Sequence, residues 1–399
     1  MFGILEPKIV TDKDKIDETL TKGVENIYPD KSSFEKVLMS GKKIRLYYGI
    51  DPTGNTLHLG HMVQLLKLRK FQDLGHEIII LIGGFTAQIG DPTDKQAARK
   101  PLTREQVLKN AKSYKKQIGR ILDLKKSNIR FVNNEDWTNK LRPADMLELA
   151  SNFTVSSLLS RDMFQERIKS GREIYVHEFL YPIFQAYDAV MMEVDLQVGG
   201  NDQMFNMLAG RDLMKKKKNK EMFVMTTKLL TDPTGKKMGK TEDNMITLND
   251  SAADMFGKIM SWPDSMIPLG FEICSGLNSA EIGGGNPRDQ KIKLACEIVR
   301  AYHGEKAANE AKEAFENTFS KGEFPNDAQI LAAGRNEKLI DVLAKNKILE
   351  SKSEIRRLIE AGAVSDYPDK KITNPNEEMG DFERKIKIGK KTFVVIRPD

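Results

Sequence analysis

Residues 47–61, Tyr-Tyr-Gly-Ile-Asp-Pro-Thr-Gly-Asn-Thr-Leu-His-Leu-Gly-His, constrain the fold most, because they carry a strand pattern into a helix pattern across a Gly/Pro-rich corner. Before the corner, Ile44, Leu46, Tyr48 and Ile50 alternate with polar or small residues, as a strand does. After it, Leu59, Val63, Leu66 and Phe71 recur at helical spacing until Gly75. A helix N-terminus presents N–H groups and partial positive charge, so an anion is stabilised there before any side chain acts. His58 and His61 stand at that point and add donors. Their chemistry suits charge that builds on a nucleotide phosphate as pyrophosphate leaves. Taken alone, the pair could also be a metal pair or an accident of surface chemistry.

β and α patterns alternate from about residue 43 to 231, which predicts an α/β fold built on a doubly wound, Rossmann-like parallel sheet. The apolar run 78–82 reads as a buried parallel strand and residues 129–132 as another. Thr103-Arg104-Glu105-Gln106 has the form of a capping box, and Val107, Ala111, Tyr114, Ile118 and Ile121 then mark one apolar helix face. A helical insertion, about 133–188, interrupts the alternation with Met146, Leu149, Phe153, Leu158 and Phe164. From about 250 to 334 strand runs are lacking and helical ones prevail, broken at residues 283–285, all glycine. With 399 residues, 40% of them hydrophobic, two or three domains are expected. No apolar run reaches the roughly 18 residues of a membrane helix, and the N-terminus lacks a signal-peptide core, so a cytoplasmic location is expected. Cys274 and Cys296 have no metal-ligand spacing and read as buried thiols in a reducing compartment. A net charge of +6 permits nucleic-acid binding without requiring it.

A second cluster, Lys236-Lys237-Met238-Gly239-Lys240-Thr241, follows the turn-forming Asp232-Pro233-Thr234-Gly235. An upstream His-x-Gly-His followed by a downstream Lys-Met-x-Lys resembles the HIGH and KMSKS signatures of class I aminoacyl-tRNA synthetases. Residues 46–53, 181–188 and 197–203 narrow the resemblance to the bacterial tyrosyl-tRNA synthetases, along nearly the whole chain. Gly239 and Thr241 stand where the signature carries serine, and Met204 where some relatives have tryptophan.

The resemblance implies a set of site residues. Tyr47 and Asp188 would hold a tyrosine hydroxyl, Asp91, Tyr181 and Gln185 its ammonium group, and Gln203 would lie beside the substrate. A phenol donates one hydrogen bond and accepts another, and a carboxylate beside a tyrosine hydroxyl supplies both partners. Asp188 sits among Ala186, Tyr187, Ala189, Val190 and Met191, a setting in which a carboxylate is rarely buried without purpose. Asp91 follows the 78–82 run, where ligands of open α/β sheets bind. His58 and His61 would serve the nucleotide phosphates and Lys237 and Lys240 the leaving pyrophosphate. Lys95 and Arg99 would close over the same group. Gly49, Asp51, Thr53, Gly60, Gly200 and Asp202, with Lys240, would shape the ATP pocket.

Residues 1–248 would form the catalytic domain, 249–334 a helical domain contacting the tRNA anticodon region, and 335–399 a small α+β, S4-like RNA-binding domain. In the last, Arg356, Arg357, Lys387, Lys390 and Lys391 would face RNA phosphates. The Lys215–Lys218 run suits a helix C-terminus with or without tRNA. Implied partners are L-tyrosine, ATP with Mg2+, tRNA(Tyr) and a second copy of the chain, with no membrane and no tightly bound protein metal. A cytidylyltransferase-type enzyme, a tryptophan-activating relative and an RNA-binding relative without catalysis are the rival readings. The Tyr47 and Asp188 pair argues against the first two, and an intact pocket against the third.

Overall fold

The computed structural model describes residues 7–93, 102–238, 245–277, 279–320, 324–325, 328–349, 351–368, 370–389 and 392–398. The chain divides into two compact units, Met1–Glu305 and Lys306–Asp399.

The first unit is organised by a six-stranded sheet. Its strands are β1 (Val24–Tyr28), β2 (Arg45–Ile50), β3 (Glu77–Ile82), β4 (Ile129–Asn133), β5 (Leu196–Gly200) and β6 (Phe223–Thr227), in the order β1-β6-β5-β2-β3-β4. From β2 to β6 all pairs are parallel, as the alternating pattern predicts, with Leu46 opposite both Ile78 and Leu196. β1, which precedes the alternating stretch, adds an antiparallel edge on β6. Ile78, Ile79 and Ile80 are fully buried because helices cover both faces of a parallel sheet. The winding runs outward from β2 to β3 and β4, then returns across β2 to β5 and β6. β2 and β5 therefore flank a topological switch point, where a crevice opens beyond their carboxyl ends.

The helix Leu59–Asp73 starts at His58 and buries Leu59, Met62, Val63, Leu65, Leu68 and Phe71. It ends at Gly75, whose φ of +93° and whose closeness to the Lys8 carbonyl, 2.5 Å from any Cβ placed there, exclude other residues. The apolar face expected to form one helix after Thr103 is divided between Arg104–Ala111 and Tyr114–Ile118. Ser113, at the break, turns its hydroxyl to the Asn55 carbonyl at 2.6 Å. The insertion is helical, with Pro143–Ala150, Val155–Leu159 and Asp162–Lys169 leading to Leu180–Met192. That last helix packs Ile183, Ala186, Ala189 and Val190 with Met207, Leu213 and Met214 of Met204–Lys218, beneath Tyr47, Ile79 and Leu81. Ala252–Met260, Ile267–Cys274 and Pro287–His303 complete the unit. Cys274 is buried as expected, which pushes its thiol up to about 12, whereas Cys296 is only half-buried. Among the described residues no helix is long and apolar enough to cross a membrane.

In the second unit, β7 (Gln329–Ala333), β8 (Val364–Asp366), β9 (Lys370–Lys371), β10 (Arg384–Ile388) and β11 (Thr392–Pro398) form a sheet in the order β7-β11-β10-β8-β9. Helices Leu339–Lys345 and Lys352–Glu360 share its core through Leu339, Val342, Leu343, Ile355 and Ile359. β7 corrects the expectation that residues 250–334 lack strands. It is a short edge strand whose parallel partner, β11, lies at the far end of the chain, so no local pattern announces it.

Candidate active site

A cavity of about 350 Å³ opens at the switch point. Tyr47, Gly49, Asp51 and Thr53, from β2 and the turn after it, line it together with His58, Gly60 and His61. Asp91, Tyr181, Gln185, Asp188, Gly200, Asp202, Gln203 and Lys237 complete its wall, so every expected substrate and nucleotide residue that the structure describes meets at one site. Lys95, Arg99 and Lys240 lie outside the described residues, as do Lys390 and Lys391. Arg356 and Arg357 are exposed on the helix Lys352–Glu360 of the second unit, and Lys387 is half-buried on β10.

One part of the cavity is buried and polar. Tyr47 is 1% exposed, and its hydroxyl meets no partner at good hydrogen-bond geometry among the described residues, the Gln197 side chain being only a weak contact. Oε1 of Gln185 and of Gln197 likewise meets none at that geometry. Burial, with the Asp188 charge nearby, holds the Tyr47 hydroxyl far above the usual phenol range, and the Gln197 side chain offsets this only in part. Asp188 accepts from Trp137 Nε1 at 2.8 Å and from Asn134 Nδ2 at 3.1 Å. Burial nevertheless raises its carboxyl to about 8, since two neutral donors do not replace the water it has lost. A buried hydroxyl without a partner costs free energy, and it does so only until a ligand supplies one.

Next to this corner, the Tyr181 hydroxyl donates to Asp51 Oδ2 at 2.9 Å, and Thr86 Oγ1 donates to Oδ1 at 2.7 Å. A Cβ on Gly83 would overlap the Asp51 carboxylate, so glycine is required for the strand end to pass it. Gln203 Nε2 donates to Asp91 Oδ2 at 2.5 Å, and Asn206 Nδ2 holds Gln203 through its Oε1 at 3.0 Å.

At the helix start, His58 Nδ1 accepts from Gly60 N at 3.1 Å and His61 Nδ1 from His58 N at 3.2 Å. This reciprocal cap places the proton of each neutral ring on Nε2. The rings lie 4.0 Å apart. The turn before them is held from outside: Asn110 Nδ2 donates to Pro52 O, Tyr114 Oη to Gly54 O, and Gln117 Oε1 accepts from Leu57 N. Beyond the Lys-rich turn the chain pairs with this corner, Leu59 N donating to Ile246 O and Leu248 N to Leu57 O. Thus residues 246–248, a few positions beyond the Lys-rich cluster, are tied by backbone hydrogen bonds to the start of the His58 helix. Lys237 pairs with Asp202. The Lys215–Lys218 run ends its helix as expected, and Lys217 and Lys218 pair with Glu148 and Glu193.

Sequence reasoning missed Asn134, Trp137, Thr86, Gln117 and Arg161. None belongs to a motif, and only their packing against Asp188, Asp51, Leu57 and the Asp91 loop reveals them.

Residues 39–320 match the family model described as tRNA synthetases class I (W and Y). The chain is 41% identical over 365 residues to a tyrosine–tRNA ligase of Aquifex aeolicus, covering 90% of this chain and 92% of that one. It is 43% identical over 366 residues to a tyrosine–tRNA ligase of Shewanella oneidensis, covering 89% and 91%. In fold it is similar to the C-terminally truncated mitochondrial tyrosyl-tRNA synthetase of Aspergillus nidulans, with TM-score 0.61 and 23% identity over 77% of this chain and 94% of that one. The tyrosyl-tRNA synthetase of Archaeoglobus fulgidus, solved with L-tyrosine, matches with TM-score 0.57 and 21% identity over 75% and 100%.

Proposed function

We infer the roles of these residues from the premise that this chain belongs to the class I tRNA synthetases of the tryptophan and tyrosine kind and acts as a tyrosine–tRNA ligase. It joins L-tyrosine to ATP as tyrosyl-adenylate, releasing pyrophosphate, and then transfers tyrosine to the 3′ end of tRNA(Tyr).

One observation carries the reading of the pocket. The Tyr47 hydroxyl, buried beside Asp188 with only a weak contact to the Gln197 side chain, matches a substrate phenol that brings one donor and one acceptor. Phenylalanine would bring the Tyr47 hydroxyl no partner, and a buried polar group so stranded costs about 1–3 kcal/mol. The tyrosine ammonium then falls to Asp91, Tyr181 and Gln185, with Gln203 beside it. ATP lies across Gly49, Asp51, Thr53, Gly60, Gly200 and Asp202, and magnesium enters with it as part of the substrate.

The tyrosine carboxylate attacks the α-phosphate in line, so no protein nucleophile is needed. Holding the two reactants together supplies much of the acceleration. His58 and His61 donate from Nε2 to phosphate oxygens as charge builds there. Lys237 exchanges Asp202 for the pyrophosphate, and Lys240, Lys95 and Arg99 assist the same leaving group.

Residues 1–248 do this chemistry, the helical part of 249–334 reaches toward the anticodon region, and 335–399, whose sheet also takes in β7, bind RNA through Arg356, Arg357, Lys387, Lys390 and Lys391. The insertion exposes Leu147, Val155, Ile168 and Val176, apolar side chains suited to burial against a second copy. Sedimentation at the dimer mass supports that pairing, and sedimentation at the monomer mass removes it. The work belongs in the cytoplasm. The test of the reaction is exchange of labelled pyrophosphate into ATP with each of the twenty amino acids. Exchange with tyrosine alone is expected, and exchange with none overturns the reading.

A further inference from the structure

Arg161 has no role in any motif, yet it is buried, 7% exposed, at the start of the insertion helix Asp162–Lys169. A buried guanidinium is costly unless charge and hydrogen bonds compensate it. Its guanidinium carbon lies over two rings, 5.7 Å from the centroid of Phe164 and 5.1 Å from that of Phe205. Its Nη1 has no hydrogen-bond partner among the described residues. Nη2 donates to Thr93 Oγ1 at 2.8 Å. Thr93 Oγ1 in turn donates to Asp91 Oδ1 at 2.5 Å, and Thr93 N donates to the same oxygen at 3.0 Å. Arg161 itself stays 3.9 Å from that oxygen.

We propose that Arg161 is a positioning residue for tyrosine binding, which acts on the Asp91 carboxylate through the Thr93 hydroxyl. The inference rests on the assignment of Asp91 to the substrate ammonium group. A hydroxyl that accepts from a cation becomes a stronger donor, so the guanidinium tightens the Thr93–Asp91 bond without occupying the carboxylate. Oδ1 is thereby fixed from one side, while Gln203, backed by Asn206, fixes Oδ2 from the other. The carboxylate is held in one orientation for an ammonium group before any arrives, and the ordering cost is removed from the binding step. The two neighbouring rings favour a planar guanidinium over the compact ammonium of lysine.

Binding of two ligands to the whole protein separates this role from a general structural one: L-tyrosine, and 3-(4-hydroxyphenyl)propanoate, which keeps the phenol and carboxylate but lacks the amine. Arg161→Gln is expected to weaken tyrosine roughly 10- to 100-fold, the range for a charge-assisted hydrogen bond. The propanoate and ATP are expected to bind as to the wild type. Thr93→Val is expected to give the same selective loss, and the double variant no more than either single one, because both break one relay. Arg161→Lys is expected to recover part of the loss.

Equal weakening of tyrosine, propanoate and ATP marks a structural role and overturns the proposal, as does an unchanged tyrosine affinity. Should Arg161→Gln fail to fold, Thr93→Val alone decides by the same comparison. A wild-type protein that binds no tyrosine contradicts the function reading itself, whereas a normal wild type with unselective variants contradicts only the role of Arg161.

Discussion

Asp188 shows how a single residue is set by its surroundings. Its carboxyl, raised to about 8 by burial, keeps a proton in the native protein that the unfolded chain has released above its ordinary value near 3.8. The native state therefore binds more protons across that interval, and stability falls as pH rises from about 4 to about 8. Asp188→Asn lacks this titration, so its stability relative to the wild type is expected to climb over that window. Denaturant unfolding at pH 5 and pH 8 measures it, and a constant difference would show that Asp188 titrates normally. At this scale the sequence was informative wherever a residue belonged to a local pattern. His58, His61, Asp91 and Asp188 declare themselves by neighbours a few positions away. Asn134, Trp137 and Arg161 do not, because their significance lies in contacts with residues more than fifty positions away along the chain for the first two, and nearly seventy for Arg161 and Thr93.

At the scale of elements, the strand, turn and helix at residues 44–73 follow from alternation, a Gly/Pro corner and helical spacing, and the structure keeps all three. The pair of helices laid over the turn was harder to read. A continuous apolar stripe through Val107, Ala111, Tyr114 and Ile118 implies one helix, whereas Ser113, Tyr114 and Gln117 spend their polar groups on the turn's backbone and the helix divides there. Gln117→Leu keeps the volume but leaves the buried Leu57 N–H without an acceptor, which costs about 1–3 kcal/mol. Loss of stability together with a raised KM for ATP is the expected result, because the same turn presents His58. A loss of stability with ATP kinetics unchanged would detach this support from the site.

For the whole molecule, the parallel sheet was legible and its switch point locates the cavity, while β7 was not, since a strand completed by a distant partner leaves no local trace. The assignment of RNA binding to residues 335–399 predicts a division of labour between the two units. Arg356→Glu with Arg357→Glu is expected to lower tRNA charging several-fold and to lessen its salt dependence, because phosphate contacts supply affinity through counterion release. Pyrophosphate exchange, which needs no tRNA, is expected to stay at the wild-type rate, and a parallel loss in both assays would place those arginines in the fold instead. The central claim concerns the buried polar corner and is tested most directly by kcat/KM for pyrophosphate exchange with tyrosine and with phenylalanine, in the wild type and in Tyr47→Phe. Removing the hydroxyl is expected to lower the tyrosine value about tenfold or more while phenylalanine holds or gains, so that the preference shrinks. A preference for tyrosine left intact by Tyr47→Phe would contradict the account.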